Sequence, residues 1–152
     1  MSLLLTIAAV AAAPAFPENV EVSQRYDCTV AATRREKRRP EPYPAGDYVF
    51  LFPAQTGLIV GKSIPYIHTR ADGRTYFKSA TIEAPSSELG PSFGFALRTQ
   101  PRARLAFATS SAEDGENIPL RGSYLATEGG DVELEGRCRV RNSPVRVDIS
   151  SP

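Results

Sequence analysis

Residues 20–32 read VEVSQRYDCTVAA, and this stretch decides the fold because apolar and polar side chains alternate along it. Its even positions are mostly apolar and its odd positions are mostly polar. A period of two is typical of an antiparallel strand that buries one face. The same alternation returns in residues 131–142, which read DVELEGRCRVRN. Both stretches therefore predict strands with one face in a core.

The chain has two cysteines, and each lies on the apolar face of one of these stretches. Cys28 shares its parity with Tyr26 and Val30, and Cys138 shares its parity with Val140. Two cysteines 110 positions apart and one histidine do not have the spacing of a metal site. We therefore predict a Cys28–Cys138 disulfide with both sulfurs pointing inward, its Cα atoms about 4.4–6.8 Å apart, and no metal or other cofactor.

Further short strands fill the rest of the chain, and no segment has the 3.6-residue apolar period of a helix. The candidate strands are residues 47–52, 57–62, 64–70, 75–83, 93–99, 104–110, 118–126 and 145–149. Short strands at roughly 8–12-residue spacing predict an all-β domain. The architecture is either an antiparallel β-sandwich or an up-and-down β-barrel of about 8 strands.

The loop of the last long hairpin sets the register of its strands. A three-residue loop over residues 128–130 pairs Tyr124 with Leu134 and keeps both apolar faces together, with Gly130 in the left-handed conformation. A two-residue loop would place Tyr124 on the face of Glu133, because a slip of one residue turns every side chain over. The sequence therefore predicts the three-residue loop.

Residues 1–15 have the pattern of a signal peptide. The apolar run from Leu3 to Ala13 is shorter than the about 20 residues that span a bilayer, but it has the length of a signal-peptide core. Small residues at Ala13 and Ala15 predict cleavage before Phe16. We expect residues 16–152 to form a single all-β domain in the periplasm of a bacterium or outside the cell, and not to be an integral membrane protein.

Residues 33–45 form a basic and proline-rich segment in this domain. The segment has one candidate anion-binding set, which consists of Arg34, Arg35, Lys37, Arg38 and Arg39. These cations suit lipid headgroup phosphates, polyanionic glycans or an acidic protein patch, and the alternative is a solvated loop that binds nothing. The whole chain has 18 basic and 17 acidic residues. This balance gives no support to a nucleic-acid partner.

Four features resemble parts of catalytic or metal sites, and each lacks what that chemistry needs. Residues 90–94 match Gly-x-Ser-x-Gly but precede a strand rather than a helix. Gly61-Lys62-Ser63 follows Gly57 at the wrong spacing for a phosphate-binding loop. Residues 113–117 lack the 12-residue calcium pattern. His68 is predicted at the rim of a sheet, opposite Phe77 across a two-residue Asp72-Gly73 turn. We therefore predict no catalytic residues.

Two functions remain for such a domain, with a third of lower rank. The first is an exported, non-catalytic β-domain with a binding or structural role at the cell envelope, where its partner is an anionic component or another protein. The second is a carrier whose barrel cavity holds a small apolar ligand. Candidate lining residues for that cavity are Tyr48, Phe50, Phe52, Phe93, Phe95 and Phe107. The third is a hydrolase of unknown type.

Overall fold

The computed structural model describes residues 19–33, 42–54, 57–84, 93–99, 103–108, 113–125, 130–142 and 145–148. Within these ranges the chain forms nine strands and no helix. The strands are β1 (Asn19–Ala32), β2 (Gly46–Pro53), β3 (Ser63–Thr69), β4 (Thr75–Glu83), β5 (Phe95–Thr99), β6 (Ala103–Phe107), β7 (Asn117–Leu125), β8 (Asp131–Arg141) and β9 (Val145–Asp148).

The first eight strands close into a barrel. Each strand from β1 to β7 pairs antiparallel with the next one, and β8 pairs with β1. The short strand β9 follows β8 along the same edge of β1 and pairs with Asn19–Val22. The structure is thus a closed, up-and-down barrel of eight antiparallel strands, and it confirms the all-β prediction and the barrel alternative.

The period-two pattern decides which side chains fill the barrel, because successive residues of a strand face opposite sides of a sheet. The interior cluster is Tyr26, Cys28, Val30, Tyr48, Phe50, Phe52, Ile64, Tyr66, Ala80, Ile82, Phe95, Leu97, Leu105, Phe107, Ile118, Leu120, Leu134, Cys138 and Val140. Strand β2 is buried on both faces, since Leu51 packs with Val22 and Val49 on the outer side. This burial on both faces explains why consecutive residues of β2 are apolar.

The predicted disulfide pair lies on neighbouring strands. Cys28 and Cys138 are directly opposite in the β1–β8 ladder, and their sulfur atoms are 2.02 Å apart. Both side chains are buried within the interior cluster. Their Cα atoms are 3.9 Å apart, which is below the predicted range of about 4.4–6.8 Å. The geometry supports the predicted bridge.

The predicted turn at Asp72-Gly73 is wrong by one residue. The loop comprises residues 71–73, Gly73 has a φ of 83°, and the Arg70 amide donates to the Arg74 carbonyl at 2.9 Å. This closure places His68 opposite Tyr76, whereas Phe77 is opposite Ile67. The predicted partner of His68 is therefore wrong, and Tyr76 is the residue that shares its face.

The predicted loop of the β7–β8 hairpin is also wrong. The ladder ends at the pair Leu125–Asp131, so residues 126–130 connect the strands. Tyr124 pairs with Val132 rather than with Leu134, and Gly130 does not adopt the left-handed conformation. The observed register of β7 against β8 differs from the predicted one by two residues. Because two is an even number, the side chains predicted to face the interior still do so.

Residues 57–62 form turns instead of the predicted strand, and Gly61 connects to β4 through its amide, which donates to the Ile82 carbonyl at 2.8 Å. The other predicted strands are found with ends displaced by a few residues. The strand predicted from residue 104, for example, begins at Ala103 and ends at Phe107.

The two ends of the barrel differ. The β1–β2, β3–β4, β5–β6 and β7–β8 connections all leave from one end, termed end A, and the other connections leave from end B. The half next to end B is filled by the mutually contacting rings of Tyr26, Phe52, Phe95 and Phe107. At end A several inward-facing side chains are only half-buried, among them Tyr124 and Val132.

Candidate functional site

Aromatic and cationic side chains gather at end A. The group, termed the mouth cluster, consists of Tyr43, Tyr48, His68, Arg70, Tyr76 and Lys78. Lys78, which has the inward parity of Tyr76 and Ala80 on β4, brings a positive charge to this end of the barrel. It is therefore the candidate site.

The strand register explains how the cluster forms. Tyr48 is opposite His68 on β3, and His68 is opposite Tyr76 on β4. Directly opposite residues share a face of the sheet, so these three rings form a row across the inner wall. Lys78 lies two positions along β4, on the same face and opposite Tyr66.

His68 is built into the wall rather than exposed at a rim. Its side chain is 1% exposed, and its ring stacks on Tyr48 with centroids 4.1 Å apart. Nε2 donates a hydrogen bond to the Ala45 carbonyl at 3.0 Å. Burial lowers the pKa of His68, and the nearby charges of Arg70 and Lys78 lower it further, against the opposite effects of the Ala45 bond and Asp47. The imidazole is therefore held neutral.

Tyr43 receives two cations. The Lys78 ammonium donates to the Tyr43 hydroxyl and lies 4.8 Å from the centroid of its ring. The Arg70 guanidinium carbon is 5.0 Å from the same centroid, and Lys78 is also 5.4 Å from the centroid of Tyr76. Such distances give cation–π attraction. The aromatic rings thus hold both cations at the mouth.

Neither cation has a carboxylate partner within the described residues. The ion pairs found there join Arg25 to Asp27, Arg74 to Asp72, and Arg98 and Arg104 to Glu83. Asp47, whose charge acts on His68, accepts a hydrogen bond from the Thr29 hydroxyl at 3.0 Å. A half-buried ammonium without a counter-ion is a group that an anion would stabilise.

The backbone before β2 is tied to the cluster. The Tyr48 hydroxyl donates to the Pro44 carbonyl at 2.6 Å, and His68 holds the next carbonyl, that of Ala45. These two bonds fix the residues that follow Tyr43. The position of the Tyr43 ring over the mouth therefore depends on Tyr48 and His68.

The predicted anion-binding residues Arg34, Arg35, Lys37, Arg38 and Arg39 lie outside the described residues, as do residues 1–15 of the predicted signal peptide. The described ends of the basic segment are both at end A. Thr33 donates from its amide to the Glu133 carbonyl at 3.0 Å, and residues 42–45 lead into the mouth cluster. The basic set remains a prediction.

The acidic turn between β6 and β7 is stabilised by its own carboxylates. Glu116 accepts a hydrogen bond from the Glu113 amide at 2.9 Å, and Asp114 accepts one from the Asn142 amide at 3.0 Å. In the part of the chain that the structure describes, no group of three His, Cys, Asp or Glu side chains is placed to hold a metal ion. Within these ranges, the carboxylates of the turn are thus seen to bind backbone amides.

Two more motifs lead into strands. Gly61-Lys62-Ser63 continues into β3, and Gly94 at the end of the Gly-x-Ser-x-Gly match precedes β5. Residues 90–92 of that match lie outside the described residues. Neither motif is followed by the helix that its chemistry requires.

Five of the six predicted lining aromatics face the interior, and Phe93 does not. The Phe93 ring packs on the outer side against Ala96 and Ala106, with the Arg121 guanidinium 5.7 Å from its centroid. The prediction for Phe93 is wrong because β5 begins only at Phe95, so the strand parity does not extend back to it.

Sequence reasoning missed Lys78, the most informative residue of the cluster. A signal for it is present, because Lys78 has the same parity as Tyr76, Ala80 and Ile82 on β4. A lysine on the apolar face of an alternating strand indicates either an exposed face or an interior charge. Tyr43 offers no such signal, since it lies before β2 in an irregular stretch.

No protein-family model and no curated protein sequence matches this chain. A solved structure that it is similar to is described as "The Siderocalin Ex-FABP functions through dual ligand specificities". The match covers 86% of this chain and 73% of that one, at 9% identity and a TM-score of 0.41. At that score it supports no statement about this chain, and the barrel is defined here by its strand pairings. Among the described residues, no helix is long and apolar enough to cross a membrane.

Proposed function

We propose that this protein is an exported, non-catalytic binding protein whose barrel takes a small amphiphilic anion at the mouth cluster. The observation that carries the proposal is Lys78, an inward-facing cation held by two tyrosines and without a carboxylate partner among the described residues. The proposed ligand is thus the small apolar molecule expected for a carrier, with an anionic group added.

The charge of the ligand follows from the cost of burying an ammonium. Transfer of a charge out of water is unfavourable unless it is paired, and cation–π contacts repay only about 0.5–2 kcal/mol. A carboxylate, sulfonate or phosphate on the ligand would offset the remaining cost of burying the Lys78 ammonium, because it accepts a charge-assisted hydrogen bond from it. Arg70, on the other side of Tyr43, offers a second cation to the same group.

The size of the ligand follows from the filling of the barrel. Tyr26, Phe52, Phe95 and Phe107 are at most 3% exposed and contact one another, so they occupy the half next to end B. An apolar ligand body would instead contact the half-buried inward side chains at end A, among them Tyr124 and Val132. Small ligand sites combine such apolar walls with a few placed polar groups.

A non-catalytic role is supported by the state of His68. Its side chain is 1% exposed, its Nε2 donates to the Ala45 carbonyl, and its ring stacks on Tyr48 and meets the Tyr43 ring edge to face. A general base needs a ring nitrogen that can reach the proton of a substrate. The contacts of His68 instead suit a group that positions the residues before β2.

Export is supported by two independent features. Residues 1–15 have the signal-peptide pattern, and the Cys28–Cys138 pair lies at bonding distance. Disulfides persist in oxidising compartments such as the periplasm and the extracellular space. We place the protein there.

A second candidate function is attachment to an anionic component of the cell envelope through the basic segment. The observation that favours it is that both described ends of the segment are at end A, where Lys78 and Arg70 also lie. Replacing the five basic residues of 34–39 with glutamine should abolish binding to vesicles that contain anionic phospholipid. Unchanged binding would remove this function.

Ligand binding is tested with the fluorescent anion 1-anilinonaphthalene-8-sulfonate, displaced by dodecanoate or by its uncharged counterpart dodecanol. We expect saturable binding to the native protein and displacement by dodecanoate. Lys78→Met keeps the length of the side chain and removes the charge. The variant should bind the two anions about tenfold or more weakly and bind dodecanol with unchanged affinity.

The matched control is Lys62→Met, because Lys62 is exposed and lies in the turn before β3, at end B. This variant should bind like the wild-type protein. Equal affinity of the Lys78→Met and wild-type proteins for dodecanoate would contradict the proposal, as would the absence of any saturable binding. Thermal unfolding of each variant shows that the native fold is retained.

A further inference from the structure

The outer face of β8 carries a charge pattern that inverts about its centre. Three acids, Asp131, Glu133 and Glu135, lie on the half towards end A. Three arginines, Arg137, Arg139 and Arg141, lie on the half towards end B. All six side chains are exposed, and Gly136 is at the midpoint.

The described residues of the neighbouring strands form no ion pair with the three arginines. Arg137 lies between Thr29 and Pro119, and Arg141 is opposite Arg25. Asp27 is opposite Arg139, but its Oδ1 accepts a hydrogen bond from Arg25 Nε at 2.7 Å. Within the described residues none of the three arginines is in an ion pair. A row of like charges at two-residue spacing is therefore left to solvent or to a partner.

We infer that this face is the contact of a two-fold symmetric dimer of the chain. A two-fold axis through the level of Gly136, in the contact plane and perpendicular to β8, places the two β8 strands face to face and antiparallel. Glu135 then faces the partner's Arg137, Glu133 faces the partner's Arg139, and Asp131 faces the partner's Arg141. Each pair occurs twice, as an isologous contact requires.

The same axis creates no clash of like charge on the flanking strands. It places β7 over the β7 of the partner and β1 over its β1. Leu120 and Val30 are the residues opposite Gly136. Arg121 therefore faces the partner's Pro119, and Thr29 faces the partner's Ala31. An axis along β8 would instead oppose each charge to itself, so charge complementarity selects one arrangement.

The curvature of the barrel and the twist of β8 limit the contact. Two twisted sheets pack closely only near the point where their strands cross, so the central pairs formed by Glu135 and Arg137 carry most of the attraction. Exposed ion pairs are individually weak and are screened by salt. We therefore expect a dimer that dissociates as the ionic strength rises.

Charge reversal at the centre of the contact tests the inference in the purified protein, residues 16–152. Sedimentation equilibrium should show a dimer at low ionic strength, about 0.02 M, and a monomer at about 0.5 M. Glu135→Arg and Arg137→Glu should each weaken the dimer by at least tenfold. The double variant Glu135→Arg/Arg137→Glu restores both contacts by symmetry and should dimerise like the wild type.

Mixing the two single variants is the sharpest measurement. In the mixed pair, every arginine at position 135 or 137 faces a glutamate, so a heterodimer should form although neither variant dimerises alone. Arg74→Glu, an exposed charge in the β3–β4 loop, is the control and should leave the dimer unchanged. A wild-type protein that is monomeric at low ionic strength, or a double variant that does not recover, would overturn the inference.

Discussion

Replacing Tyr26 with phenylalanine should stabilise the barrel. Tyr26 is fully buried, and its hydroxyl has no hydrogen-bond partner among the described residues. In the unfolded chain that hydroxyl is hydrated, so folding removes its water without replacing it. The burial also raises the pKa of Tyr26, which keeps the phenol protonated and the uncompensated polar group neutral.

The size of the effect follows from the cost of an unsatisfied hydroxyl. Leaving a buried polar group unpaired costs about 1–3 kcal/mol. The ring of phenylalanine keeps the edge contacts with Phe52, Phe95 and Phe107, whose centroids lie 5.2, 5.8 and 5.7 Å away. The void left by one oxygen offsets part of the gain. We therefore expect the free energy of unfolding to rise by about 1–2 kcal/mol, which raises Tm by roughly 3–8 °C.

Urea unfolding of the wild-type and Tyr26→Phe proteins measures the change, with an unchanged m-value as the sign that only stability differs. Tyr48→Phe is the matched control, because the Tyr48 hydroxyl is also buried but donates to the Pro44 carbonyl at 2.6 Å. Loss of that bond should lower the free energy of unfolding by about 1–2 kcal/mol. A Tyr26→Phe protein destabilised by 1 kcal/mol or more would refute the reasoning, since its hydroxyl must then have a partner.

Three further predictions concern the bridge, the histidine and a glycine. Cys28→Ala/Cys138→Ala should lower stability by up to about 4–5 kcal/mol, the chain-entropy value for a loop of 110 residues, while circular dichroism shows the same strands. Thiol titration of the unfolded, unreduced wild type should find no free thiol. The pKa of His68 is lowered from 6.5, so the folded protein binds this proton less readily than the unfolded chain does. The free energy of unfolding should therefore be at its full value above about pH 6.5. Below that pH it should fall by at most about 1.4 kcal/mol per pH unit. His68→Phe should remove that fall, and an identical pH profile would contradict the assignment. Gly136→Ala should cost about 1–3 kcal/mol because its Cβ would lie 2.2 Å from the Thr29 carbonyl oxygen, whereas Gly130→Ala, which meets nothing within 4 Å, should unfold at the urea concentration of the wild type.

The faces of the strands could be predicted from the sequence, whereas their registers could not. Alternation assigns Tyr124 to the interior whether the β7–β8 connection has three residues or five, because both lengths preserve parity. The pattern therefore contains no information that separates the two loops. At residues 71–73 parity does separate the two lengths, because a two-residue loop pairs His68 with Phe77 and the observed three-residue loop pairs it with Tyr76.

The candidate site was less predictable than the fold, since it depends on contacts between distant segments. Tyr43 lies 35 residues before Lys78, and the register of three strands must be known before the two can be joined. The cysteine pair was predictable for the opposite reason. Each cysteine lies on a strongly alternating strand, and the chain offers each one a single partner.

The closure of the barrel by β1 and β8 makes folding depend on a late event. β1 can form its ladder with β2 early, but its other edge has no partner until β8, about 110 residues further along, has been made. Bringing such distant segments together is entropically slow, so all-β topologies of this kind fold in milliseconds to seconds. During that interval β1 and β7 both present unpaired backbone edges, which can recruit strands from another molecule. An assembling chain is thus most vulnerable to aggregation at the seam that later holds its two cysteines.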